Sequence, residues 1–462
     1  MAPDATRPPH ARRGTPRAVI ALTLAAALGI PASLLGAILV ATPLLKPPTI
    51  DAALHRWLGI AEPRSWPWRP AVQAVALAVL ALVVLGGAGA FSGAISWYER
   101  RVAGRMQSRI GPNRAGFLGF FVWMADGLKF LLKEDLVPAD ADAFLFRAAP
   151  YFVMTGFGLT FVVLPFGHSL IVADLDVGIF YATSVTALVV VGILVSGWAS
   201  NSKWALFGGM RSAAQIISYE IPAGVALFVP VAMAGTLSMQ GIVRAQGGYP
   251  WEWFALRNPA ALVGFFIFFI SQLAEANRTP FDLPEAESEL VAGYLSEYSG
   301  FRFALFFLAE WGSIGVLSAL SVTLFLGGWQ VPGVSADRID ALRGGGALPA
   351  AAWWLWNAAS LAVFAAKSLA LCNVVIWLRW TLPRIRIDQM TALSWKYLVP
   401  AAFTCFAFTL LWQLAVQAAP VIERGCGYGL SGLAVALAAL FGWQVWQNLR
   451  SVRGGRVDLT NW

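Results

Sequence analysis

At 462 residues the chain is 58% hydrophobic and 13% charged, with a mean hydropathy of +0.65 and a formal net charge of +8. Soluble domains carry about 25% charged residues and are roughly half apolar, so this composition describes a membrane protein, in which the distribution of Lys and Arg matters more than their sum and no nucleic-acid partner is implied. Cys372, Cys405 and Cys426 lie far apart, the only histidines are His10, His55 and His168, and no CxxC, Walker or GxGxxG spacing occurs, so no metal, iron–sulfur, haem or nucleotide site is expected from this chain alone.

Apolar runs of bilayer-spanning length recur along the chain, near residues 18–45, 71–97, 147–170, 180–199, 214–236, 259–276, 303–327, 353–378, 397–419 and 429–449. The pattern predicts an all-α, polytopic transmembrane bundle of about ten spans. The basic start "MAPDATRPPHARRGTPR" precedes an apolar run of about 28 residues, longer than a signal-peptide core, and reads as an uncleaved span. Alternate connections, with both termini, hold 23 of the 33 Lys and Arg residues, which places the termini in the cytoplasm. No internal repeat is visible, which weakens an inverted-repeat transporter reading.

The loop after the second span, "YERRVAGRMQSRIGPNRAGFLGFFVWMADGLKFLLKEDLVP", contains a GPN turn and then apolar residues at helical spacing beside Asp126, Lys129 and Lys133. An amphipathic helix at the membrane interface is predicted there. Its basic residues serve as a positive-inside anchor or, with Glu99 and Asp126, pair with carboxylates and orient a polar head group.

Further on, "GWASNSKWALFGGMRSAAQIISYEIP" carries Glu220 into an apolar run. An ionisable group inside a span costs roughly 2.5–3.5 kcal/mol on insertion scales and so has a partner or a function. Glu275 ends the following span, Glu310 lies deeper in the next, and Lys367 is well inside another. Between Glu275 and Glu310, "LAEANRTPFDLPEAESELVAGYLSEYSG" concentrates Glu275, Asp282, Glu285, Glu287, Glu289 and Glu297 against Arg278 alone. Helix capping by Asp282 and Glu285 accounts for one or two of these acids. Six crowded carboxylates cannot all ionise freely, and such groups shift toward neutral pH as proton relays require.

Together, "ERRVAGRMQSRIGPNRAGFLG…ADGLKFLLKED", the Glu220 segment, "NRTPFDLPEAESELVAGYLSEYSGFRFALFFLAEW" and "LPRIRIDQMTALSWK" resemble the H-subunit family of bacterial NADH-quinone oxidoreductase, respiratory complex I, whose mitochondrial counterpart is subunit 1. The resemblance spans about residues 75 to 419; locally the chain has "VWMADG" where relatives often carry "QPIADG". It implies a core of eight helices in residues 71–419, extended by one span within 1–70 and another within 420–462. It also implies a multi-pass subunit of the bacterial inner membrane that forms much of a quinone chamber, with quinone as substrate. FMN and iron–sulfur clusters would belong to partner subunits of the peripheral and membrane arms.

Carried onto this sequence, the resemblance implies a coupling path of Glu220, Glu275, Asp282, Glu285, Glu287, Glu289, Glu297 and Glu310. Glu99, Arg100, Arg109 and Asp126 match residues at the quinone chamber, as do Arg379, Arg384, Arg386 and Asp388 in a second charged loop. The alternatives are the equivalent subunit of a membrane-bound, ion-pumping hydrogenase-type complex and a stand-alone proton-coupled transporter.

Overall fold

The computed structural model describes residues 69–284, 287–344 and 350–453, so the expected first span, Glu285 and the end of the C-terminal tail lie outside the described residues. The chain divides into two compact units, Met1–Leu128 and Lys129–Trp462.

The first unit is dominated by α1, Arg69–Met106, a run rich in Ala, Val and Leu. Near its end Trp97 is buried, donates from Nε1 to the Leu118 carbonyl at 3.2 Å and meets Phe120 edge-on at 5.3 Å. Arg101 donates to the Pro112 and Leu118 carbonyls at 3.1 and 2.9 Å, folding the GPN turn back onto the helix. At Gly93 a Cβ would stand 2.5 Å from the Trp123 ring, so the close approach requires glycine. The expected amphipathic helix forms as α2, Val122–Leu132, in which the boundary between the units falls. It starts two residues later than the apolar spacing predicts, because Gly119 adopts φ +71°. None of its residues is buried, and Met124, Leu128 and Leu131 present the apolar edge that suits a bilayer interface.

The second unit contains α3 (Ala143–Thr160), α4 (Gly178–Ala199), α5 (Lys203–Ala234), α6 (Met239–Ala245), α7 (Pro259–Glu275), α8 (Gly300–Phe325), α9 (Ala336–Gly344) and α10 (Ala350–Thr381). A short helix, Ile387–Ala392, then runs through a π turn, Leu393–Leu398, into α11 (Val399–Ala418), and α12 (Pro420–Arg453) follows. Helix α5 packs against α4, α7 and α11, while α8 packs against α3, α7 and α10. Every residue of α8 from Ile314 to Phe325 is buried, so this helix is the centre of the core. Small residues allow the close contacts: at Gly192 of α4 a Cβ would lie 2.9 Å from the Val153 backbone nitrogen of α3.

Helices occupy the nine expected spans that fall within the described residues. Six are long and apolar enough to cross a membrane, while α7 is shorter, at 17 residues. The protein is thus an all-α polytopic membrane protein. Several boundaries differ from expectation, most of all in α5 and α3. Helix α5 begins at Lys203 rather than 214, because "KWALFGGM" contains good helix formers and its glycines fit tight contacts. Helix α3 stops at Thr160 rather than 170; Pro165 has no N–H to give, and the Ala173 amide reaches back to the Val162 carbonyl in a buried loop.

That loop belongs to the end of the bundle opposite the acidic stretch. Here His168 Nε2 meets Asp340 Oδ1 at 2.8 Å, and Gln246 Nε2 donates to Thr323 at 3.0 Å. Lys367, which read as an interior functional group, instead donates to the Leu326 and Gly328 carbonyls at 2.8 and 3.1 Å, above the Trp253 ring. It caps the end of α8, where helix carbonyls lack partners. Helix α12 is tied to this end through Arg257 and Glu423, 2.6 Å apart.

Candidate functional site

The site is organised by two prolines inside helices. A proline removes the bond to the carbonyl four residues earlier, so Pro150 in α3 releases Phe146 and Pro222 in α5 releases Ser218. Both carbonyls find side-chain donors: Tyr298 Oη donates to Phe146 at 3.1 Å, and Ser394 Oγ donates to Ser218 at 2.5 Å. Tyr219 adds a 3.0 Å bond from its hydroxyl to the Met390 carbonyl. The acidic loop and the 382–398 loop are therefore fastened to the bent parts of α3 and α5.

Glu220 lies at the Pro222 bend, half-buried, and lines a cavity of about 360 Å³ whose walls are otherwise largely apolar, among them Phe180, Leu227, Phe268 and Leu324. Glu275, the last residue of α7, lines the same cavity and is close enough to Glu220 for the two carboxylates to interact. It also lines a second, smaller cavity of about 70 Å³ together with Asn277, Tyr294, Glu310 and Ser313. That volume suits a few water molecules, held by these polar groups in walls that are otherwise largely apolar, among them Val153, Phe157 and Leu317. Gln272 Nε2 hydrogen-bonds Glu275 Oε2.

Glu310 is paired with Arg278 at 3.0 Å, and both side chains are nearly excluded from solvent. The Arg278 guanidinium also lies 4.5 Å above the Trp311 ring. Asp282 faces Arg384 at 3.0 Å; burial pushes its carboxyl above the ordinary carboxylate value, and the Arg384 charge and hydrogen bond pull against that shift. Glu289 is exposed and meets Arg211 at 2.7 Å, which holds its carboxyl below the usual value. Glu297 is half-buried, with no ion pair among the described residues. Glu287 begins a single helical turn, Glu287–Leu290.

The acidic stretch is therefore less repulsive than its sequence suggests, because arginines from elsewhere supply counter-charge. Arg379 stacks near Trp311 and Trp380, at 5.8 and 5.9 Å, while Arg386 and Asp388 are exposed at the start of the Ile387–Ala392 helix. In the first unit Arg100 pairs with Asp126 at 2.7 Å, Glu99 is buried and Arg109 bonds Gln107.

Several contributors escape a reading based on charge alone. Gln215 is fully buried and donates to the Ala274 carbonyl, Asn277 Oδ1 and the Phe281 carbonyl at 2.8, 3.1 and 2.7 Å, fixing the chain where it leaves α7. Its signal was a lone amide in the helix that also carries Glu220. Gln272 and Thr186 are likewise neutral, but both line the two cavities.

Known proteins share this sequence closely. A family model described as NADH dehydrogenase matches residues 76–410. The H subunit of NADH-quinone oxidoreductase from Anaeromyxobacter dehalogenans is 64% identical over 392 residues, 85% of this chain and 95% of the relative. The H subunits of the same enzyme from Chlorobaculum tepidum, 48% identical over 68% of this chain and 86% of their own, and from Dehalococcoides mccartyi, 39% over 79% and 92%, are also similar. This chain, with its membrane helices and carboxylate-lined cavities, belongs to the NADH dehydrogenase family, in the group formed by the H subunits of NADH-quinone oxidoreductase.

Proposed function

We propose that the chain is the membrane subunit of a proton-translocating NADH-quinone oxidoreductase that links quinone reduction to proton movement through its buried carboxylates. The observation that carries this reading is the succession of Glu220, Glu275 and Glu310 along two cavities that share Glu275. Electron entry from NADH, with FMN and iron–sulfur clusters, belongs to partner subunits of the peripheral arm. Quinone is the substrate at the charged loops, with Glu99, Arg100, Arg109 and Asp126 on one and Arg379, Arg384, Arg386 and Asp388 on the other. The acidic end faces the cytoplasm of a bacterial inner membrane, a reading supported by the distribution of basic residues.

In this mechanism reduction of quinone draws protons and changes the charge near Asp282 and Arg384. Two unit charges about 10 Å apart at an effective dielectric of about 20 interact by roughly 1.7 kcal/mol, which is about one pKa unit. That is enough to redistribute a proton among neighbouring carboxyls. Glu310, already paired with Arg278, transmits the change to Glu275 through the smaller cavity that both line. Glu285, Glu287, Glu289 and Glu297 extend the path along the loop, and the membrane-arm subunits receive the bias.

The test is replacement of Glu220 or Glu310 by Gln in the intact complex. NADH-driven proton translocation and quinone reduction should fall by about tenfold, the effect of roughly 1.4 kcal/mol, while electron transfer from NADH to an artificial acceptor continues. Unchanged translocation would refute the reading, and equal loss of both activities would show failed assembly.

A further inference from the structure

Both cavities are lined by Thr186, Gln272 and Glu275, whereas Glu220 lines only the larger and Glu310 only the smaller. The three shared residues are all polar; the other α4 residues lining the smaller cavity, Val189, Val190 and Ile193, are apolar. Gln272 sits one turn before Glu275 on the same helix, so its amide holds the carboxylate from within α7. Thr186 approaches from α4 and is the shared residue that belongs to a different helix.

Thr186 has one hydroxyl proton and two acceptors. Its Oγ1 donates to the Thr183 carbonyl at 2.9 Å, an ordinary contact for threonine in a helix, and the residue lines both cavities beside Glu275. An ionised carboxylate draws the hydroxyl proton toward itself, whereas a protonated one presents its own O–H and lets the threonine return to the backbone.

We propose that Thr186 is a positioning residue that sets which cavity the Glu275 carboxyl faces, so that protons pass between the Glu220 side and the Glu310 side only through Glu275. No bond to Thr186 is made or broken; its hydroxyl rotates as Glu275 gains and loses its proton. This rests on the coupling role proposed above for Glu220, Glu275 and Glu310. The ionisable groups facing the site are Glu220 from α5, Glu310 from α8 with Arg278 beside it, and Tyr294 from the acidic loop.

The experiment uses the intact complex carrying Thr186→Val, which keeps the branched shape and deletes the hydroxyl, beside Thr186→Ser, which restores it. Thr186→Val should lower proton translocation roughly fivefold, the scale of one lost hydrogen bond, and displace the pH profile of NADH-driven quinone reduction. Transfer from NADH to an artificial acceptor should persist, and Thr186→Ser should behave as the natural protein. If the valine variant does not assemble, Thr186→Ala takes its place with the same expectation. A serine variant as impaired as valine would reduce Thr186 to packing and overturn the inference. So would wild-type translocation and pH profile in the valine variant while Glu275→Gln abolishes coupling; full coupling in Glu275→Gln would instead defeat the underlying reading.

Discussion

Arg278 is the residue on which the acidic site turns. It is 1% exposed, and its guanidinium faces both Glu310 and the Trp311 ring. Removing one member of a buried ion pair strands the other and costs about 3–5 kcal/mol, whereas removing both costs much less. Arg278→Gln should therefore lower the thermal stability of the purified complex more than the Arg278→Gln, Glu310→Gln double variant, measured as Tm in a double-mutant cycle. Glu220, Glu275 and Glu310 were legible in the sequence because charge stands out in an apolar helix. The neutralisation of the acidic loop was not: Arg211 lies 78 positions from Glu289 and Arg384 lies 102 from Asp282, so only the fold brings them together.

Among elements, α5 shows how local rules and tertiary contacts divide the work. Apolar length marks it as a span, and Pro222 foretells an unpaired carbonyl, but neither says what satisfies that carbonyl. The donor is Ser394, from a π turn 176 residues away in sequence. Serine is small, uncharged and common in loops, which gives it no signal. Replacing it with Ala leaves the buried Ser218 carbonyl without its donor, at a cost of about 1–3 kcal/mol. Hydrogen exchange should accelerate around residues 214–222 in Ser394→Ala and remain slow in Ser394→Thr. Lys367 is the converse case: a conspicuous charge in the sequence that the structure uses to close the end of α8.

For the whole molecule, hydropathy located the spans because a bilayer demands about 20 apolar residues per helix, and that demand overrides local propensity. It failed at the ends of α3 and α5, where buried loops and tight glycine contacts decide. The orientation proposed from the basic residues has a direct check. With the half-buried Cys426 replaced by Ser, a Cys at exposed Ala139 should react with a membrane-impermeant thiol reagent only from the cytoplasmic side, and a Cys at exposed Ser335 only from the opposite side. Reaction of Ala139→Cys only from the outside and of Ser335→Cys only from the cytoplasmic side would reverse the assignment of the acidic end, and reaction of both from the same side would refute the arrangement of spans between them.

The Ser394–Ser218 bond joins the loop that carries Arg384 and Arg386 to α5 two residues before Glu220. A displacement of that loop is thus a torque on a helix already weakened by proline, and it changes the bend at which Glu220 stands. Force as well as charge has a route from the loop to the buried acids, and the route runs through two hydroxyls, those of Ser394 and Tyr219.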